Sequence, residues 1–135
     1  MRGQRLHGTL LPVPLRCLIV DDNEAFLAAA TTMLEREGVT VLGSSTNSAD
    51  ALRSVDALRP EVVLVDVSLG EENGFDLAWM LDGDHHADGA AIILISTRSR
   101  TELAELIDRS PARGFIAKAD LSGDAIRKLL EQDRG

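Results

Sequence analysis

The sequence predicts an α/β fold in which a doubly wound, open five-stranded parallel sheet carries helices on both faces. Two observations carry this expectation. Short apolar runs rich in β-branched residues alternate with segments whose apolar residues recur at helical spacing. Almost every run also ends on a polar residue able to do chemistry. Such alternation forces parallel pairing, because each crossover must return the chain to the same end of the sheet. Right-handed crossovers then distribute the helices over both faces.

Leu15 to Val20 is apolar except for Arg16 and reads as a first strand buried on both faces. Asn23 can cap the next helix, where Phe26, Leu27, Ala30, Met33 and Leu34 share a face, and Gly38 suits the left-handed residue that closes it. Val39 to Gly43 is the second strand. Asn47 opens a helix with Ala51, Leu52, Val55 and Leu58 on one side, and Pro60 stops it. Val62 to Val65 is the third strand, ending at Asp66. A loop through Gly70 and Gly74 leads to a helix over Phe75 to Leu81, on which Trp79 is expected to pack. Ala90 to Ile95 forms the fourth strand, ending at Ser96-Thr97, and Leu103, Leu106 and Ile107 mark the helix after it. Gly114 to Ala117 is the fifth strand, ending at Lys118, and Leu121, Ile126, Leu129 and Leu130 pattern a closing helix.

The 135 residues, 44% of them hydrophobic, suit one compact domain with a proper core. That domain is expected over residues 15–132, behind a flexible leader of residues 1–14 and with no output domain after it. The formal charge of −8 argues against direct nucleic-acid binding, which needs clustered Lys and Arg; Arg2, Arg5 and Arg16 are too few. A single cysteine excludes an internal disulfide and suits a cytoplasmic protein, with Cys17 expected as a small buried hydrophobe. Pro12 and Pro14 interrupt the apolar stretch of the leader. No run approaches the roughly 18 apolar residues of a membrane span.

Ligands of open parallel sheets bind beyond the carboxyl ends of the strands. Asp21, Asp22, Asp66, Ser96 and Lys118 all fall there, so the fold should bring three carboxylates, a hydroxyl and an ammonium into one crevice. Carboxylates this close repel one another until one protonates or a cation enters. An oxygen-only ligand set favours Mg²⁺. With the metal bound, a carboxylate can attack phosphorus without facing the full negative charge of the donor. Asp66, expected on the central strand, is the candidate nucleophile and would become an acyl phosphate. Ser96 and Lys118 would hold the phosphoryl oxygens, and Lys118 can pair with Asp66 beforehand.

The stretches Leu18-Ile-Val-Asp-Asp22, Val62-Val-Leu-Val-Asp66, Ile92-Ile-Leu-Ile-Ser96 and Gly114-Phe-Ile-Ala-Lys118 together resemble the receiver domains of bacterial response regulators, the CheY-like proteins of two-component systems. The match covers about residues 15 to 132. The resemblance implies a flavodoxin-like strand order of 2-1-3-4-5, Mg²⁺ dependence, and a histidine kinase or phosphotransfer protein as phosphodonor. It implies Asp22, Asp66 and the Ser68 carbonyl as direct metal ligands, with Asp21 acting mainly through water. Phe115 matches the aromatic position that turns inward on activation as Ser96 shifts toward the phosphoryl group. That movement would switch the surface of the fourth helix, fifth strand and fifth helix, which would contact a downstream protein, an output domain on a longer chain, or a second copy.

Several residues depart from the family pattern. Ala119 stands where many receivers have proline, so an all-trans loop is expected there. Ser96 replaces the usual threonine, Thr97 replaces a small alanine and is expected to crowd the pocket, and the loop Ser68 to Gly74 lacks a frequent proline. Arg98 occupies a variable position from which it can reach over the pocket and modulate water access. A phosphohydrolase with an aspartyl nucleophile is a rival class, but the second acid it needs two residues on is Ser68 here. A binding-only module would be expected to lose an acidic or lysine position, and none is lost. Asp82 to Asp88 and Glu71-Glu72-Asn73 contain ligand residue types without the partner set or spacing of a metal site.

Overall fold

A computed structural model describes residues 14–83 and 89–132; most of the expected leader, and residues 84–88 of the polar loop, lie outside them. The elements run β1 (Leu15–Val20), α1 (Glu24–Arg36), β2 (Val39–Ser45), α2 (Ser48–Leu58), β3 (Val62–Asp66), α3 (Gly74–Gly83), β4 (Ala91–Ser96), α4 (Arg100–Arg109), β5 (Gly114–Ala117) and α5 (Gly123–Gln132). The five strands form one parallel sheet in the order β2-β1-β3-β4-β5, as the family resemblance implies. β3 lies at its centre with every residue buried.

Alternation along the strands splits the core in two. Leu18, Val20, Val63, Val65, Leu94 and Phe115 face α2, α3 and α4, against Ala51, Val55, Leu77, Leu81, Leu103 and Ile107. Cys17, Ile19, Val62, Leu64, Ile93 and Ile95 face α1 and α5, against Leu27, Leu34 and Ile126. Burial on both faces explains why the strands read as continuous apolar runs rather than alternating ones. Cys17 is fully buried on β1, between β2 and β3, and burial pushes its thiol up to about 12.

Helix ends follow the expected chemistry. Asn23 Oδ1 accepts the Phe26 N–H at 3.0 Å, and Asn47 Oδ1 accepts the Asp50 N–H at 2.8 Å. Ser99 and Glu102 form a reciprocal capping box on α4 that the apolar pattern did not signal. Before Pro60, Arg59 takes a left-handed φ of 52°, held by its N–H on the Val55 carbonyl and by the Arg16 guanidinium, which donates to the Arg59 carbonyl at 2.7 Å.

The structure differs from the sequence expectations in five places. β2 runs on to Ser45, because Gly43 marks a bulge rather than an end: Cys17 pairs with Val41 and Leu18 with Gly43. Ser68–Leu69 pairs antiparallel with Glu72–Asn73, so the loop after β3 is a small hairpin. Leu121, expected on the closing helix, is buried just ahead of it. Trp79 is 52% exposed instead of packed, because Leu77, Ala78 and Leu81 already occupy the inward arc of α3; Leu106 is likewise turned out beside the inward pair Leu103 and Ile107. Among the described residues, no helix is long and apolar enough to cross a membrane.

Candidate functional site

The carboxyl edge of the sheet gathers Asp21, Asp22 and Asp66, with one oxygen of each within 4.8 Å of the others. Asp21 follows β1 directly, and its N–H extends the ladder by donating to the Ser45 carbonyl at 2.9 Å. Its side chain is therefore fixed inside the protein, fully buried, while neighbouring Asp22 is exposed. Asp66 ends β3 and is only 6% exposed. Its Oδ1 accepts the Ser68 N–H at 3.2 Å.

Lys118, the first residue past β5, reaches across the edge to both buried acids. Its Nζ lies 2.6 Å from Asp21 Oδ2 and 3.2 Å from Asp66 Oδ2. Asp21 Oδ1 accepts the Asn23 N–H at 2.8 Å, whereas buried Oδ2 has no donor aligned on it and relies on the ammonium charge alone. Three carboxylates against one ammonium leave two formal negative charges uncompensated. An under-coordinated buried oxygen, an all-oxygen donor set and this charge deficit fit a small hard divalent cation. Beside the cluster, Gly70 takes a left-handed φ of 64°, and a Cβ there would meet Asp22 Oδ2 at an ordinary contact distance of 3.5 Å.

Burial pushes the Asp66 carboxyl up to about 6; the Ser68 N–H opposes the shift, the Asp21 charge adds to it, and Lys118 offsets part of it. Burial disfavours the Lys118 ammonium, but the pairings with Asp21 and Asp66 outweigh that and raise its pKa overall. The Asp66 shift has a consequence for stability. An unfolded aspartate titrates near 3.9, so this group stabilises the fold fully below about pH 4 and that contribution is lost as pH rises through about 6. In chelator at pH 8, Asp66→Asn should be more stable than the wild type by about 1–2 kcal/mol in denaturant melts, with the gap closing near pH 4. An equal gap at both pH values would contradict the burial of an ionised Asp66.

Ser96 ends β4 and is buried, pairing with Ala117 of β5. Its Oγ accepts the Arg98 N–H at 2.9 Å, which leaves the hydroxyl proton free to donate. Thr97 and Arg98 are exposed beyond it. Arg98 lines a groove with Ser68, Gly70, Glu71 and Leu106. Ser68 is exposed in the hairpin. Phe115 is buried in the α4-side core. The described chain holds no cis peptide, so the bond before Ala119 is trans, and Lys118–Asp120 forms a short 3₁₀ turn.

Two residues of the site were not singled out from sequence. Gly74, N-terminal in α3, packs so tightly on the back of Asp66 that a Cβ would come within 2.0 Å of the Asp66 carbonyl oxygen. Phe26, read only as a core residue of α1, lies under the Lys118 ammonium. No local pattern signals either contact, because each depends on a residue brought close by the sheet topology.

The fold and the site define a doubly wound α/β protein with an acidic, lysine-bridged crevice at the carboxyl edge of its sheet. Residues 17–131 match the response regulator receiver domain, and the chain belongs to that family of two-component signalling proteins. It is 30% identical over 103 residues to the protein PilH of Pseudomonas aeruginosa, a match covering 76% of this chain and 84% of PilH. It is 27% identical over 124 residues to the transcriptional regulatory protein YvfU of Bacillus subtilis, covering 89% of this chain but only 61% of the length of that relative. The signal receiver domain of the response regulator NarL from Mycobacterium tuberculosis superposes with a TM-score of 0.76 at 22% identity, over 92% of this chain and 99% of that one, and shares the fold.

Proposed function

We propose that residues 15–132 act as a phosphoacceptor domain in which Asp66 takes a phosphoryl group from the phosphohistidine of a histidine kinase or phosphotransfer protein. The observation that carries this is the Lys118 ammonium set between Asp21 and Asp66, at 2.6 and 3.2 Å, inside the carboxylate cluster. An Asp66 carboxylate oxygen attacks phosphorus, the P–N bond to imidazole breaks with its electron pair going to nitrogen, and the product is an acyl phosphate. Asp22, Asp66 and the Ser68 carbonyl would hold Mg²⁺, with Asp21 acting through water; the ion supplies charge neutralisation of the phosphoryl oxygens. The Ser68 N–H fixes one Asp66 oxygen, which orients the other. Lys118 and the free Ser96 hydroxyl proton are the donors for the phosphoryl oxygens. The protein accepts and loses the group rather than turning over a substrate.

For Ser96 to reach a phosphoryl group, its Oγ gives up the Arg98 N–H and vacates space beside β5, where Phe115 packs against the α4 core. The switch therefore acts on α4, β5 and α5, the face that would meet a downstream target, an output domain or a second copy. Arg98, exposed above the groove, is placed to modulate water access. The setting is cytoplasmic, and no direct nucleic-acid contact is assigned to this domain.

Intact mass after incubation with acetyl phosphate tests the assignment. The wild type should gain a single phosphoryl adduct with Mg²⁺ and none in chelator, and Asp66→Asn should gain none. An adduct of equal yield in Asp66→Asn would move the acceptor elsewhere. No adduct on folded wild type from acetyl phosphate or from a phosphorylated kinase would leave a binding-only receiver.

A further inference from the structure

Lys118 has a neighbour besides its two carboxylates. Its Nζ stands 4.3 Å from the centroid of the Phe26 ring, within the range where the negative face of an aromatic attracts a cation. Phe26 lies in the first turn of α1 and is half-buried. Its backbone is tied to the same acid that Lys118 contacts. The Asn23 N–H donates to Asp21 Oδ1 at 2.8 Å, and Asn23 Oδ1 accepts the Phe26 N–H at 3.0 Å. The Phe26 ring meets Lys118, and Lys118 returns to Asp21 Oδ2 at 2.6 Å. The four residues form a closed circuit in which the cap that starts α1 also sets the ring under the ammonium.

We propose that Phe26 is a positioning residue for Lys118, holding the ammonium at the wall of the crevice while its carboxylate partners change. This rests on Asp66 being the phosphoacceptor. When a cation or a phosphoryl group engages the oxygens of Asp21 and Asp66, the ammonium must release at least one of them. A ring face attracts the ammonium without offering a negative charge that would compete with the phosphoryl oxygens. An aliphatic side chain of similar bulk fills the same space but exerts no such pull. Without the ring, Lys118 either stays on the carboxylates, obstructing the cation, or swings out to solvent.

The variants Phe26→Leu, Phe26→Met and Phe26→Tyr separate attraction from packing. The initial rate of Asp66 phosphorylation by acetyl phosphate and Mg²⁺ is read by intact mass. The Lys118 ε-methylene protons are read by NMR, because a ring beneath them shifts them upfield. Phe26→Leu and Phe26→Met should slow phosphorylation about fivefold, the rate equivalent of roughly 1 kcal/mol, while Phe26→Tyr stays within about twofold of wild type. The upfield shift should persist in Phe26→Tyr and vanish in the aliphatic variants. Aliphatic variants that react at the wild-type rate overturn the proposal, and so does a Phe26→Tyr variant as slow as they are, which would reduce the residue to packing. Either result leaves Asp66 standing as acceptor, whereas a wild type that takes no phosphoryl group removes the acceptor assignment and this proposal together.

Discussion

Gly74→Ala should destabilise the domain by about 3 kcal/mol or more and, in whatever fraction still folds, impair phosphorylation of Asp66. The reason is contact rather than backbone dihedral. A Cβ on Gly74 would sit 2.0 Å from the Asp66 carbonyl oxygen and 2.8 Å from both the Asp66 carbonyl carbon and the Val67 Cα. All three are backbone atoms of the central strand or the residue after it, so no side-chain rotation relieves the clash. The Gly74 N–H also donates to the Val67 carbonyl at 2.8 Å, locking the start of α3 onto the end of β3. Relief therefore requires α3 to move outward or the Asp66 peptide to move inward, and either one displaces the carboxylate proposed as acceptor. Urea melts read the first effect, and adduct formation with acetyl phosphate reads the second. A Gly74→Ala variant with wild-type stability would show that α3 slides freely, contrary to this packing. Gly70→Ala offers a contrast, since its φ of 64° strains a side chain but its Cβ would meet only Asp22 Oδ2 at 3.5 Å.

Lys118→Ala should lose about 2–4 kcal/mol of stability in chelator at pH 8, because it strands two buried carboxylates without a counter-charge. The size of the loss depends on what else can neutralise them. Burial pushes the Asp66 carboxyl up to about 6 even with Lys118 holding it down, so without the ammonium Asp66 takes a proton at a still higher pH and the loss should shrink on acidification. Mg²⁺ bound as proposed would supply the missing charge by a different route, and adding it at pH 8 should recover most of the stability while phosphorylation stays impaired. That combination separates neutralisation of the crevice by Lys118 from its proposed binding of phosphoryl oxygens. A loss that ignores both pH and Mg²⁺ would mean that Lys118 acts only through packing.

The strand ends of the site were legible in the sequence because topology, not side-chain detail, puts them together. Once the runs ending at Val20, Val65, Ile95 and Ala117 are read as parallel neighbours, Asp21, Asp66, Ser96 and Lys118 must share one edge. The capping residues Asn23 and Asn47 were equally readable, since their bonds span three residues. Contacts made across the topology were not. Phe26 carries the helical spacing of a core residue, and nothing in α1 tells that its ring will lie under an ammonium from the far end of the chain. Gly74 reads as an ordinary loop glycine because the atom that excludes its Cβ belongs to Asp66. Gly43 looked like a strand end because a bulge and a terminus leave the same local trace. The loop hairpin was hidden because its ladder joins only two residues on each side, too few for alternation to show. Trp79 misled because bulk suggests burial, yet smaller neighbours had already filled the inward arc of α3.

The lone Cys17 turns the molecule into its own stopwatch. Its thiol is sealed at 0% exposure within β1, with a strand on each side, and held protonated by burial, so an alkylating reagent finds neither access nor thiolate while the sheet is intact. Labelling must wait until the layer of α1 and α5 lifts from that face of the sheet, and in the limit of fast reclosing the labelling rate reports the free energy of that opening under native conditions. With one cysteine in the chain, the signal has a single source. The same sulphur atom thus times the opening of that face of the core in every variant above without a denaturant or an engineered label site.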